Sequence, residues 1–221
     1  MIRIDIVSDT VCPWCFIGKR RLEAALKQRG PGEPVAVTWQ PYQLNADMPE
    51  GGLDRREYLE AKFGGPERAR AAYDRIRGVG AGVGIDFQFE RIPRTPNTIA
   101  SHRLIHHAAR YDRQDAVVEA LFRAYFLEGR DIGAPETLVD CAAAAGLPAE
   151  DIRAYLASDE DAELIRGLDA QARGMGIQGV PCFIFNNQYA LSGAQEPALF
   201  LKVFAMLEQQ AAGPVEPTPA K

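Results

Sequence analysis

Two cysteines, Cys12 and Cys15, flank Pro13 and Trp14 at the junction of a strand pattern and a helical pattern, and this placement constrains the chain more than any other feature. The strand is Ile2-Arg3-Ile4-Asp5-Ile6-Val7; the helix is announced by apolar residues at Phe16, Ile17, Leu22, Ala25 and Leu26 and ends at Gly30-Pro31-Gly32. Cysteines with two residues between them can close a small disulfide ring. One that sits at a helix N-terminus is acidified by unpaired backbone N–H groups and the helix dipole. Cys12 falls at the N-cap, with Pro13 at the first helical position, where its missing N–H costs nothing. Cys12 therefore reads as the attacking nucleophile. Cys15, a turn further along and more buried, reads as the thiol that resolves a mixed disulfide by attacking Cys12. Pro13 and Trp14, inside the ring, are the residues placed to tune it, Trp14 as a flat apolar rim for a substrate. Lys19, Arg20 and Arg21 read as mostly solvent-facing, and so of small help to a thiolate after screening. Asp9 would oppose it.

The remaining pattern frames this site. Val35-Ala36-Val37-Thr38-Trp39, between prolines 34 and 41, predicts a second strand, and strand, helix, strand favours a parallel pair with a right-handed crossover. Residues 54–174 are strongly helical in pattern, with segments expected at 54–63, 66–78, 97–110, 114–128, 135–145, 149–157 and 160–174. Asp86-Phe87-Gln88-Phe89 is a short extended break, and Gly78, Gly80, Gly82 and Gly84 form a flexible exit. Cys182-Phe183-Ile184-Phe185 and Tyr189-Ala190-Leu191 around Asn186-Asn187-Gln188 predict a hairpin, followed by a helix over 197–209. The ends of the chain thus build one α/β sheet interrupted by an all-α insertion.

The net charge of −5, with Lys and Arg scattered rather than striped, gives no basis for nucleic-acid binding. No apolar run reaches the roughly 18 residues a membrane span needs. The opening residues show neither a basic n-region nor an apolar h-region, so the cytoplasm is the expected compartment. There a close cysteine pair is catalytic or metal-binding rather than structural. Half a zinc site is the competing account. No second close pair exists, however, and His102, His106 and His107 share one helical stretch, so no metal is expected. Val180-Pro181 enters the hairpin; a trans proline at the first residue of a strand is the ordinary case.

Five segments together resemble the DsbA-family thioredoxin-like oxidoreductases of the FrnE-like group, relatives of 2-hydroxychromene-2-carboxylate isomerases and kappa-class glutathione transferases. They are residues 9–18 (DTVCPWCFIG), 41–45 (PYQLN), 97–104 (NTIASHRL), 179–181 (GVP) and 192–195 (SGAQ). The resemblance implies an α/β thioredoxin-like fold with a large all-helical insertion: residues 1–45 plus 175–210 as the thioredoxin-like domain and 46–174 as the insertion, while 211–221, with three prolines, is expected to be a disordered tail. It implies that Pro181 is cis and faces Cys12, and that the Val180 backbone pairs with an extended substrate. It also implies a thiol-disulfide oxidoreductase acting on a disulfide-bearing protein or small-molecule thiol, with no tightly bound cofactor and with glutathione as a candidate co-substrate. The alternative activity is a glutathione-dependent isomerase or transferase acting on small aromatic metabolites. Those enzymes typically carry serine where this chain has Cys12.

Other residues keep two readings. Cys182 is a buried small hydrophobe or a third thiol near the pair, while Cys141 is helix packing. His102 and Arg103 line the groove or form a polar helix face; His106 and His107 read as solvated surface. Ser192 to Gln195 either cap the last helix or help its N-terminus hold a carboxylate.

Overall fold

A computed structural model describes residues 1–212. Strand β1 (Ile2–Ser8) leads into helix α1 (Pro13–Arg29), which returns to β2 (Val35–Pro41). β1 and β2 are parallel, with Ile2 opposite Val35 and Ser8 opposite Pro41. A short pair, β3 (Leu53–Asp54) and β4 (Arg94–Thr95), brackets α2 (Arg55–Phe63) and α3 (Pro66–Ala81). Then come α4 (Ile99–Ala108), α5 (Gln114–Phe126), α6 (Pro135–Ala144), α7 (Ala149–Ala157) and α8 (Ala162–Gly174). The chain closes with β5 (Cys182–Phe185), β6 (Tyr189–Ser192) and α9 (Pro197–Ala212). The sheet runs β2-β1-β5-β6, and β5 is antiparallel to both of its neighbours. This is a thioredoxin-like fold with a helical insertion. Among the described residues, no helix is long and apolar enough to cross a membrane.

Alternation along the strands divides the core. Ile2, Ile4 and Ile6 of β1 and Phe183 and Phe185 of β5 are buried in one cluster with residues of α1 and α9. Val7 and Cys182, opposite each other in the ladder, belong to a second cluster with Tyr42 and Ala172 of α8. Phe16, the residue after Cys15, ties the two halves of the chain together. Its ring stacks on Phe122 of α5 at 5.1 Å and lies within 6.3 Å of Phe126. Burying such a side chain contributes about 1.5–3 kcal/mol, and here it holds the helical block against the first turns of α1.

The hairpin turn has Asn186 and Asn187 at φ 50° and 56°, the left-handed pair that a two-residue turn matched to strand twist requires. Three expectations fail. Residues 86–88 join no strand, and Phe89 opens a 3-10 turn that runs to Arg91. Gly78 and Gly80 lie inside α3, not in a flexible exit. A Cβ on Gly80 would come within 2.4 Å of the Phe87 ring, so this glycine serves close packing of the helix on that ring. The last helix continues to Ala212, past the expected end at 209. Of the tail expected over 211–221, residues 213–221 lie outside the described residues.

Candidate active site

Cys12 occupies the N-cap of α1 with extended backbone (φ −94°, ψ 111°), and Pro13 follows in the first turn. The approach is a tight turn: the Cys12 N–H donates to the Asp9 carbonyl at 3.0 Å, and the Cys15 N–H donates to the Cys12 carbonyl at 3.0 Å. The turn brings the two cysteines within 3.5 Å of each other as free thiols. Both are buried, Cys12 at 3% exposure and Cys15 at 1%, so the expected difference between them is small. Burial pushes the Cys15 thiol well up, and the neighbouring Cys12 sulfur adds to the effect; the Ser8 hydroxyl and the Asp9 backbone N–H pull the other way.

The Val180–Pro181 peptide is cis. The Cys12 thiol donates to the Val180 carbonyl at 3.6 Å, and the Gly193 N–H donates to the Pro181 carbonyl at 2.7 Å. Gly18 eases this approach. A Cβ there would stand 3.0 Å from the Pro181 Cγ and 3.0 Å from the Phe183 ring, so the proline and the ring would have to give by a few tenths of an ångström. Gly18 closes the 9–18 segment, and nothing in its local pattern signals this close approach.

Beside Cys12 a groove of about 440 Å³ is lined by Pro13, Trp14 and Leu44 on one side and by Tyr58 and Tyr73 on the other. Arg55 also lines it. Its guanidinium donates to the Thr95 hydroxyl (3.1 Å) and to the phenol oxygens of Tyr125 (3.0 Å) and Tyr73 (2.7 Å). Sequence reading missed Arg55 because Asp54-Arg55-Arg56-Glu57 has the pattern of an exposed first helical turn.

Several charged residues depart from their expected positions. Lys19 is buried, not solvent-facing: its ammonium lies among Glu23, Asp115 (3.1 Å) and Glu119 (3.4 Å). Burial alone would lower its pKa, but Asp115 and Glu23 outweigh this and hold it above the ordinary lysine value. Arg20 pairs with Glu119 and Glu23, and Arg21 with Glu196 and the Ala194 carbonyl. The reason is that α5 turns its carboxylates toward α1, which no local pattern reports. Asp9 is fully buried, accepts from the Leu44 N–H at 2.8 Å, and has its other oxygen 3.4 Å from His102 Nε2. Neither His102 nor Arg103 lines the groove; both are buried. Arg103 donates to the carbonyls of Tyr155, Ser158 and Glu160. His107 is buried too, its ring 4.1 Å from that of Tyr155, whereas His106 is half-buried.

Cys182 lies with Val7 on the sheet face opposite the core cluster that contains Cys12 and Cys15. Its thiol is raised by burial alone. Cys141 is buried in α6, with its thiol pushed up to about 11 by burial. Ser192 closes β6 and does not cap the last helix; its carbonyl accepts from the Gln195 side chain at 2.7 Å.

A reduced cysteine pair at the head of α1, facing a cis-proline loop on a thioredoxin-like sheet, defines a redox protein of the thiol-disulfide class. The DSBA-like thioredoxin domain family matches residues 3–205, and the chain belongs to that family. The fold resembles that of a probable DsbA oxidoreductase from Streptomyces coelicolor, with 33% identity and a TM-score of 0.84, covering 100% of this chain and 93% of that one. It also resembles a 2-hydroxychromene-2-carboxylate isomerase (16% identity, TM-score 0.71, 95% and 98% of the two chains). A third similar structure is the cytosolic disulfide reductase DsbM from Pseudomonas aeruginosa with GSH (20% identity, TM-score 0.64, 95% and 99%). The last two likenesses are of fold alone.

Proposed function

We propose that this chain is a thiol-disulfide oxidoreductase in which Cys12 attacks and Cys15 resolves. The Cys12 thiolate attacks one sulfur of a substrate disulfide, forms a mixed disulfide and expels the other substrate sulfur as a thiolate. Cys15, as thiolate, then attacks the Cys12 sulfur. The mixed disulfide breaks, the second substrate thiol leaves, and two electrons have passed from the cysteine pair to the substrate. The observation that carries this reading is the 3.5 Å approach of two free thiols, one of them at a helix N-cap.

Pro13 and Trp14 tune the pair, Pro13 by fixing the helix start and Trp14 by lining the groove. Val180 and Pro181 hold the substrate, which runs extended past the Val180 carbonyl in place of the present contact with the Cys12 thiol. The substrate is a disulfide-bearing protein or a small-molecule thiol, and the compartment is the cytoplasm, where the direction is reductive. Glutathione is a reasonable co-substrate, since DsbM was crystallised with GSH. A glutathione-dependent isomerase reading, prompted by the isomerase of similar fold, gives Cys15 no task.

The test is titration of Cys12 by thiolate absorbance, with a parallel reduction potential against glutathione, in the wild type and in Cys15→Ser. A reversible two-electron couple in the wild type, replaced by a long-lived mixed disulfide on Cys12 in Cys15→Ser, is expected. Absence of any reversible disulfide would overturn the reading in favour of glutathione binding without exchange.

A further inference from the structure

The groove beside Cys12 has a charge pattern unlike the rest of the chain. The protein carries a net charge of −5, yet the charged residues lining the groove are Arg55, Lys62 and Arg75, with no Asp or Glu among them. The acids of the same two helices lie elsewhere. Glu60 and Asp74, with Asp54 of β3 and Glu90, line an adjoining cavity of about 670 Å³ that shares Arg55 and Tyr73 with the groove; there Arg70 and Arg77 approach Asp74 and Arg77 also pairs with Glu90. The second cavity is therefore of mixed charge, lined by Arg55, Arg56, Arg70 and Arg77 as well as by these acids, whereas the groove beside Cys12 has cations alone.

The three groove cations also lack carboxylate partners among the described residues, although Lys19, Arg20, Arg21 and Arg29 on α1 are all ion-paired. Lys62 donates only to the Tyr58 phenol, at 2.8 Å. Arg55 is the costly case. It is 6% exposed, its hydrogen-bond acceptors are the uncharged oxygens of Thr95, Tyr73 and Tyr125, and its Nε has no partner. Burial pushes both tyrosines up, so neither phenol ionises to offset the guanidinium. A buried cation without a counter-charge is strongly disfavoured, and an anion brought to the groove would relieve that cost. Lys62 and Arg75 are exposed, so their attraction acts through solvent and is screened by salt, whereas the buried Arg55 acts in a less aqueous setting and more strongly than it would in open water.

We propose that this groove selects disulfide partners that carry carboxylates next to the reacting sulfur, with Lys62 and Arg75 attracting the anion and Arg55 supplying the buried positive charge beneath it. The inference rests on Cys12 being the reacting thiol and adds a substrate class to that reading. The carboxylate can belong to a low-molecular-weight thiol or to an acidic residue beside a peptide cysteine; both present the same chemistry to the groove.

Two reagents that differ only in charge test the field at Cys12 without any turnover. In each, the Cys12 sulfur forms a bond to carbon and iodide leaves. Alkylation by iodoacetate is compared with alkylation by iodoacetamide, Cys12 being followed by peptide mass. The anion-to-neutral rate ratio should exceed that of the unfolded chain about three- to tenfold and fall toward it in Lys62→Gln/Arg75→Gln and at high salt. Arg153→Gln, a remote surface change, should keep the wild-type ratio. A wild-type ratio equal to that of the unfolded chain, or a double variant that keeps the wild-type ratio, overturns the inference.

Disulfide probes then separate the two readings. Dithiodipropionate should react faster than hydroxyethyl disulfide, and cystamine slowest; cystamine reacting as fast as the dianion overturns the selectivity. Oxidised glutathione and a glutamate-flanked peptide disulfide identify the source of the carboxylate. If no disulfide reacts while the alkylation ratio still favours the anion, the exchange reading fails and the anion-selective groove stands.

Discussion

Gly18 and Pro181 are fitted to each other across the site: a Cβ at position 18 would stand 3.0 Å from the proline Cγ. The missing side chain at position 18 eases the approach of α1 to the loop whose Val180 carbonyl accepts from the Cys12 thiol. Gly18→Ala is expected to push the helix and loop apart, at an overpacking cost of about 1–3 kcal/mol. Urea denaturation measures that cost. A parallel slowing of mixed-disulfide formation at Cys12 would show that the spacing matters to the chemistry, whereas unchanged stability and rate would mean that the loop yields freely.

Cys182 follows Pro181 directly but points to the other face of the sheet, among Val7, Tyr42 and Ala172. Cys182→Ala should therefore leave the reduction potential of the Cys12–Cys15 couple unchanged while costing about 1 kcal/mol of packing. Redox equilibration against glutathione, quantified by mass, checks the first part. A shifted potential would mean that this thiol communicates with the pair.

Alkaline pH should destabilise the reduced protein. The folded Cys141 thiol is raised from its ordinary 9.0 to about 11, and Cys15 is raised as well. Below pH 9.0 both states hold the Cys141 proton, so its contribution is fully present. Above that value the unfolded chain loses the proton first, and stability falls by about 1.4 kcal/mol per pH unit for each such thiol. For Cys141 the loss is complete near pH 11. Denaturation midpoints measured upward from pH 8 should fall less steeply in Cys141→Ala.

Lys19 holds three carboxylates from two helices, its own side chain 4% exposed. Lys19→Met removes the charge, leaves Glu23, Asp115 and Glu119 facing one another, and should cost about 1–3 kcal/mol. Adding Asp115→Asn should recover part of that loss in a double-mutant cycle. Independent, additive effects would show that the cluster does not act as a unit.

Phe16→Ala is expected to cost about 3–5 kcal/mol, since the ring packs on Phe122 and Phe126 across the junction of sheet and helical block. Because Phe16 adjoins Cys15, the variant should also make Cys15 more accessible to alkylation in the native state.

Much of this architecture was legible in the chain because it rests on local chemistry. Asn186-Asn187 between two apolar runs specifies a hairpin turn, and Pro135 and Pro66 open helices where a missing N–H is harmless. The short β3–β4 pair was not legible, since two residues per strand carry no periodicity. Asp86–Phe89 reads as extended because the alternation of Phe87 and Phe89 mimics a strand, but the segment joins no strand: the two rings stack at 4.7 Å in the core and Phe89 opens a 3-10 turn.

By itself the sequence determined where the two thiols stand. The Cys-Pro-Trp-Cys spacing, Pro13 after the N-cap and the strand before it are short-range constraints, satisfied by a few bonds of one turn. Tertiary structure alone decided what surrounds them. The cis Val180–Pro181 peptide beside Cys12, the α5 carboxylates that occupy Lys19 and Arg20, and the groove cations of α2 and α3 come from residues tens to more than a hundred positions away. Packing brings those groups together. Whether a cation is exposed, paired or buried without a partner depends on which helix faces it, and nothing in its own segment encodes that.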